Sequence, residues 1–154
     1  MNYYLLIVND CWDDRGNKIS AKNVAQHRLS RGLWNIYSNT PHKKLIKAGD
    51  SVIIYLAGTS EGGRAFLATA KVQGITSDPK SLSGLYGEPP ISALMLEDIA
   101  VFPESPKIAD IKDELEFVPK NNPKWGCVMQ RGAKIISKKD YERIVTAGNF
   151  AVSS

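Results

Sequence analysis

Apolar residues fall along this chain in short runs separated by polar turns, and their period switches between that of strands and that of helices. Residues 2–8 (NYYLLIV) are an apolar, aromatic and β-branched run bounded by Asn9-Asp10, the pattern of a buried strand that opens a sheet. Residues 20–30 (SAKNVAQHRLS) start on a Ser and space Val24, His27 and Leu29 loosely along one face, which predicts a short helix capped by Ser20. Pro41 presets the backbone for a single-turn helix, PHKKLIK, closed by Gly49. AGDSVIIYLAG then reads as a turn and a second strand. RAFLATAKVQGI alternates, placing Phe66, Ala68, Ala70 and Val72 on one face, and the tip TSEGG joins the two as a hairpin.

Residues 77–92 are rich in Gly, Pro and Ser and read as a long surface loop able to cover a site, with strand-like sequence resuming at ALMLEDIAVF. The acidic piece after Pro103 reads as a connector with a short helix ending at Leu115. The last element is a helix from Lys138 to Ala147, with Ser137 and Asp140 in capping-box spacing and Tyr141, Ile144 and Val145 on its apolar side. There is no internal repeat and no alternation of strand, helix and strand. The order predicts an α+β fold, a mixed sheet curled into a small barrel with short peripheral helices, not a doubly wound parallel sheet.

With 154 residues, 43% of them hydrophobic and 23% charged, the expectation is one domain over 1–154 with a proper core. No run of about 18 uncharged apolar residues occurs, and the start MNYYLLIVND has neither a basic leader nor a small-residue cleavage site, so a cytoplasmic protein without a membrane span is expected. Cys11 and Cys127 fit no metal-ligand spacing and read as reduced thiols, their pairing left open; no metal and no cofactor are expected.

Charge changes the picture. The net charge is only +4, but from Arg15 to Lys47 there are eight Lys or Arg, two His and no acid. A second acid-free window, Phe117 to Lys139, holds six cations, while Glu97 to Glu116 carries seven carboxylates against two lysines. Each cationic window contains a tryptophan in a polar, turn-like setting: RGLWNIYSN around Trp34 and NPKWGCVMQRG around Trp125. Basic residues beside out-of-place indoles point to a polyanion-binding face with a base-stacking element. Trp12, in NDCWDD, lies beside Asp13 and Asp14, which favours a packing or rim role. Trp34 is open to two readings on its residues alone, a stacking platform or a plug at the end of the barrel.

Taken in order, YYLLIVND, GLWNIYSN, LIKAGDSVIIYLAG and ELEFVPKNNPKWGCVMQRGAKIISKKDYERI resemble the EVE domain, a PUA-like fold related to the YTH readers of methylated RNA. The resemblance runs nearly end to end. It implies a module that turns a modified base of DNA or RNA, such as a methylated cytosine or adenine, out of its stack into an aromatic cage between the barrel strands, with no chemistry. Position by position, Trp34 corresponds to the family's tryptophan after the first variable region, Tyr55 to the aromatic ending the Gly-Asp strand, and Asn9 to the polar residue ending the first strand.

An indole offers an extruded base a large stacking surface, and Asn9 with Asp10 would present donors and acceptors to its edge. The expected base pocket is therefore Asn9, Asp10, Trp34 and Tyr55, with Trp12 and Trp125 as further aromatics. Arg28, Arg31, Lys43, Lys44 and Arg131 are the expected phosphate contacts. The partner would be nucleic acid, with a nuclease or restriction enzyme as a candidate companion, and the protein a monomer or weak dimer. Enzymatic readings find little in the residues: Cys11, Asp13, Asp14, His27 and His42 form no nucleophile-base or carboxylate-pair spacing, and both histidines read as surface or helix-face residues. Two rival readings are a module for a small nucleotide, nucleoside or protein partner and, further off, an RNase-like PUA-superfamily enzyme.

Overall fold

The computed structural model describes residues 1–37, 40–77, 90–119 and 132–149. Its elements are β1 (Tyr3–Val8), β2 (Cys11–Trp12), β3 (Lys18–Ile19), α1 (Ala21–Arg31), β4 (Leu33–Ile36), β5 (Ser51–Leu56), β6 (Ala65–Thr76), β7 (Ser92–Val101), α2 (Ile108–Ile111), a 3₁₀ turn (Lys112–Glu114), β8 (Ala133–Ile136) and α3 (Lys138–Asn149). Six strands form one curled mixed sheet in the order β4-β7-β6-β5-β1-β8, and β2 and β3 make a separate ribbon. β1 runs parallel to β5 and antiparallel to β8; the other pairs are antiparallel. The α+β expectation, with short peripheral helices around a curled sheet, holds.

The alternating pleat of β1 divides the core in two. Tyr4, Leu6 and Val8 face the side covered by α1, together with Val52, Ile54, Trp34 and Leu94. Leu5 and Ile7 face the other side, where Ile53, Tyr55, Phe66, Phe102, Ile108 and Ile144 pack beneath α2 and α3. A strand buried on both faces shows a continuous apolar run, which is why YYLLIV and VIIYL are so conspicuous.

Two local expectations are corrected. Phe66 does not share a face with Ala68, Ala70 and Val72: opposite Ile54 and Tyr55 the partners are Ala68 and Phe66, so Leu67 is an extra residue in a bulge. The bulge turns Phe66 to the α3 side, against Tyr55 at 5.0 Å between ring centroids, while Ala68 onward face α1. Pro41–Leu45 is a hydrogen-bonded turn and not a helix, because His42 sits at φ 59 and interrupts the helical backbone.

Both predicted N-caps form. Ser20 Oγ accepts from Asn23 N at 3.2 Å, and Ser137 Oγ accepts from Asp140 N at 3.1 Å. The carboxylate of Asp140, however, does not turn back to the cap residue: it accepts from Glu116 N at 2.9 Å and Phe117 N at 3.1 Å, and so ties α3 to the segment after the 3₁₀ turn. Most of the predicted loop lies in residues 78–89, outside the described residues, as does Trp125.

Candidate functional site

The site is built around the last turn of α1. Its first turn contains no acid, and the backbone N–H of Ala21 is satisfied from outside the helix by Asp10 Oδ1 at 2.8 Å. The last turn carries Arg28 and Arg31, the favourable sign for the carbonyl end of a helix. Gly32 ends it at φ 67, donating to Leu29 O at 3.1 Å, and the chain enters β4 at once. The left-handed glycine is the reason Arg28 and Trp34, only six positions apart in sequence, come face to face: the Arg28 guanidinium carbon lies over the indole, 4.7 Å from the ring centroid.

Between α1, β4, the end of β1 and the ribbon lies a cavity of about 480 Å³. Its apolar wall includes Leu6, Val8, Val24, Trp34 and Ile36, and its polar wall includes Asn9, Asn23, Arg28, Arg31, Asn35 and Tyr37. No Asp or Glu lines it among the described residues. Arg28 Nη2 donates to Tyr37 Oη at 3.3 Å, and Asn35 Nδ2 donates to the same oxygen at 3.3 Å. Burial lowers the pKa of Arg28, with Tyr37 acting in the opposite sense, yet an arginine keeps its charge across the accessible range. Cys11, which also lines the cavity, has a free thiol that burial pushes up against the pull of Arg28, so it is held as the neutral thiol and not as a thiolate nucleophile.

The expected site residues separate sharply. Asn9 and Trp34 line the cavity. Trp34, only 2% exposed, is a wall whose π faces are covered by Arg28 and the core, not an open platform. Tyr55 is on the opposite face of the sheet, 3% exposed against Phe66, because strand alternation points it away from its neighbour Ile54. Its burial pushes the phenol up to about 12.

Asp10 is a structural knot. Besides Ala21 it accepts from Thr59 N at 3.2 Å and pairs with Lys18 at 3.4 Å. Burial alone would raise its pKa, but the bonds from Ala21, Ser60, Lys18 and Thr59 together hold the carboxyl below its ordinary value. Trp12 is 58% exposed on the ribbon, paired with Lys18, while its neighbour Cys11 and Ile19 on the partner strand line the cavity. The ribbon's turn is pinned by Asp13 Oδ1, which accepts from Arg15 N at 2.9 Å and Asn17 N at 2.8 Å. Of the expected phosphate contacts, Arg28 is turned inward, Arg31 lies exposed at the cavity and Lys44 is exposed on the 41–45 turn; Lys43 is half-buried, and Arg131 lies outside the described residues.

Sequence reasoning passed over Asn23, Asn35 and Tyr37, which line the cavity; His27, read as a surface residue, is exposed and also lines it. A signal existed for two of them: Asn35 and Tyr37 stand two positions apart, one and three residues after Trp34, the first inside β4 and the second just past its end.

No family model matches this chain, and no curated protein matches it. Solved structures do. Human THYN1 in complex with 5-methylcytosine-containing DNA superposes with a TM-score of 0.61 at 11% identity, over 96% of this chain and 98% of that one. The YTH domain-containing protein mmi1, in a complex with RNA, gives 0.61 at 13% identity over 98% of this chain and 84% of the other. Rpa0253 from Rhodopseudomonas palustris gives 0.58 at 13% identity, over 97% and 94%. The fold is PUA-like. At such identities it is the architecture, not the site, that these proteins share with this chain.

Proposed function

We propose that this protein is a non-catalytic reader of the EVE type, which holds a flipped and modified base of DNA or RNA in the cavity between α1 and β4. The observation that carries the reading is that cavity: about 480 Å³, walled on one side by apolar residues and Trp34 and on the other by amides and arginines, with no acid among the described lining residues. Its size falls within the roughly 300–1,000 Å³ range of small-ligand sites. An apolar wall suits the faces of a heterocycle, and amides with guanidinium donors suit its edge. Support also comes from fold neighbours captured with methylated DNA and with RNA.

In this reading Asn9 and the cavity amides read the base edge. Trp34 forms a wall and holds Arg28, while Trp12 stands at the rim. Arg31, Lys43 and Lys44 lie along the phosphates, and Tyr55 and Asp10 hold the framework. A base methyl adds only apolar contact, so the preference for a modified base is expected to be worth about 1–3 kcal/mol.

The test is a binding panel of short DNA and RNA strands carrying cytosine, 5-methylcytosine, 5-hydroxymethylcytosine, adenine or N6-methyladenine, each at two ionic strengths. Binding that prefers one modified base, falls steeply with salt, and weakens alike for all sequences in Lys44→Glu is the expected result. Equal affinity for a free nucleoside, flat in salt, would instead make the cavity a small-molecule site.

A further inference from the structure

Arg28 is the least expected group in the cavity. It projects inward from α1, its guanidinium lies 4.7 Å from the centre of the Trp34 ring, and no carboxylate pairs with it among the described residues. A guanidinium has five N–H donors, and among the described residues a protein acceptor takes one of them, the hydroxyl of Tyr37. A cation taken partly out of water with most of its donors unmatched by the described residues is costly to keep unless something bound there matches them. The indole beneath and the Tyr37 hydroxyl at its edge restrict how the fork can turn, so its remaining donors are positioned and not free to scatter.

Resting on the reader reading above, we infer that Arg28 sets base specificity, by directing its fork at two adjacent acceptors on the edge of the bound base. Cytosine offers such a pair in O2 and N3, and guanine in O6 and N7. Adenine offers none: on either edge the N6 amino donor stands beside the ring acceptor, so one N–H of the fork would meet another N–H. Thymine and uracil place an N–H between their carbonyls and accept only one bond. A methyl on C5 of cytosine leaves O2 and N3 untouched, so that modification is compatible with the fork, whereas N6-methyladenine still presents a donor. The cavity therefore fits cytosine-type or guanine-type bases and disfavours adenine-type ones, and Trp34 acts on the base through Arg28 by holding the guanidinium in place.

The experiment measures affinity by fluorescence anisotropy for single strands identical but for one central base: cytosine, 5-methylcytosine, guanine, adenine, N6-methyladenine or thymine. The wild-type protein is compared with Arg28→Gln, which loses the fork and the charge, and Arg28→Lys, which keeps the charge and the apolar stem but loses the fork. Thermal melts confirm that both are folded. Wild-type protein is expected to favour cytosine or guanine over adenine by about tenfold or more, the scale of one bidentate contact.

Both variants are expected to lose that preference, chiefly by weaker binding to the favoured base, with the salt dependence of Arg28→Lys unchanged. A preference for adenine or N6-methyladenine overturns the inference while leaving the reader reading intact. So does a uniform loss on all strands with a shallower salt slope in Arg28→Gln, the mark of a phosphate contact. Failure of the wild-type protein to bind any strand removes the reader reading itself, and this inference with it.

Discussion

Gly58 stands so close to Asp10 that a Cβ added to it would lie 2.5 Å from the carboxylate Oδ2, and its backbone sits at φ +98, where side chains are strained. The hairpin between β5 and β6 thus closes over the carboxylate that also caps α1 and pairs with Lys18 on the ribbon. Gly58→Ala is expected to destabilise the protein by about 1–3 kcal/mol, from strain and displacement of that carboxylate. In urea denaturation, adding Asp10→Ala to Gly58→Ala should cost less than Asp10→Ala costs alone, since the clash is then gone. Strict additivity would mean the two positions do not act on each other.

The same carboxylate predicts a pH dependence. Its folded-state pKa is below that of the unfolded chain, so its stabilising contribution is complete above the unfolded value of about 3.9 and is lost as pH falls through the lower folded value. Thermal melts taken across the acid range should show wild-type stability declining more steeply than that of Asp10→Asn. Parallel curves for the two proteins would refute the assignment.

Asp140 is 1% exposed and accepts two backbone N–H groups, from Glu116 and Phe117. Asp140→Ala leaves those part-buried donors without their acceptor and is expected to cost about 1–3 kcal/mol. Ser137→Ala removes only the cap on α3 and should cost about 1 kcal/mol. Chemical denaturation that ranks the two in the opposite order would mean the carboxylate contributes through the helix alone.

Trp34 fills the core on the α1 side, so Trp34→Ala is expected to cost about 3–5 kcal/mol of stability. Its binding defect would be confounded by partial unfolding. Trp34→Phe keeps an aromatic wall under Arg28 and should retain the fold by near-UV circular dichroism while weakening the hold on the guanidinium. An Ala variant as stable as the wild type would contradict the buried position of the indole.

Trp12 makes the converse case. Because its indole is 58% exposed on the ribbon, Trp12→Ala should leave the melting temperature nearly unchanged. Strand binding, if the rim indole stacks on a base neighbouring the bound one, should weaken by about 1–3 kcal/mol. Unchanged affinity would remove Trp12 from the interface.

Much of the fold was legible because its signals are local. Ser20 and Ser137 announce helix starts through hydrogen bonds that span three residues, and the apolar runs of β1 and β5 announce strands covered on both faces. What escaped was either too short to display a period, as in β4 and the β2-β3 ribbon, or set by a register irregularity invisible to composition, as in the bulge that turns Phe66 away from Ala68. Tyr55 entered the expected pocket through the family resemblance, as the aromatic that ends the Gly-Asp strand. The parity of that strand, fixed only once β1 and β6 pair with it, sends it to the opposite core.

The sequence by itself determined the class of fold, the helix caps and the cationic character of the segment from Arg15 to Lys47, since each follows from short-range spacing or from residue chemistry that no folding alters. Tertiary structure alone decided what Trp34 does. Bringing the end of β1, the last turn of α1 and β4 around one cavity required the left-handed turn at Gly32 and the pairing of β4 with β7, and these bury the indole beneath Arg28. The group left facing the cavity is then the guanidinium, because a large apolar ring gains most by leaving water while a charged fork stays where its donors can still be used.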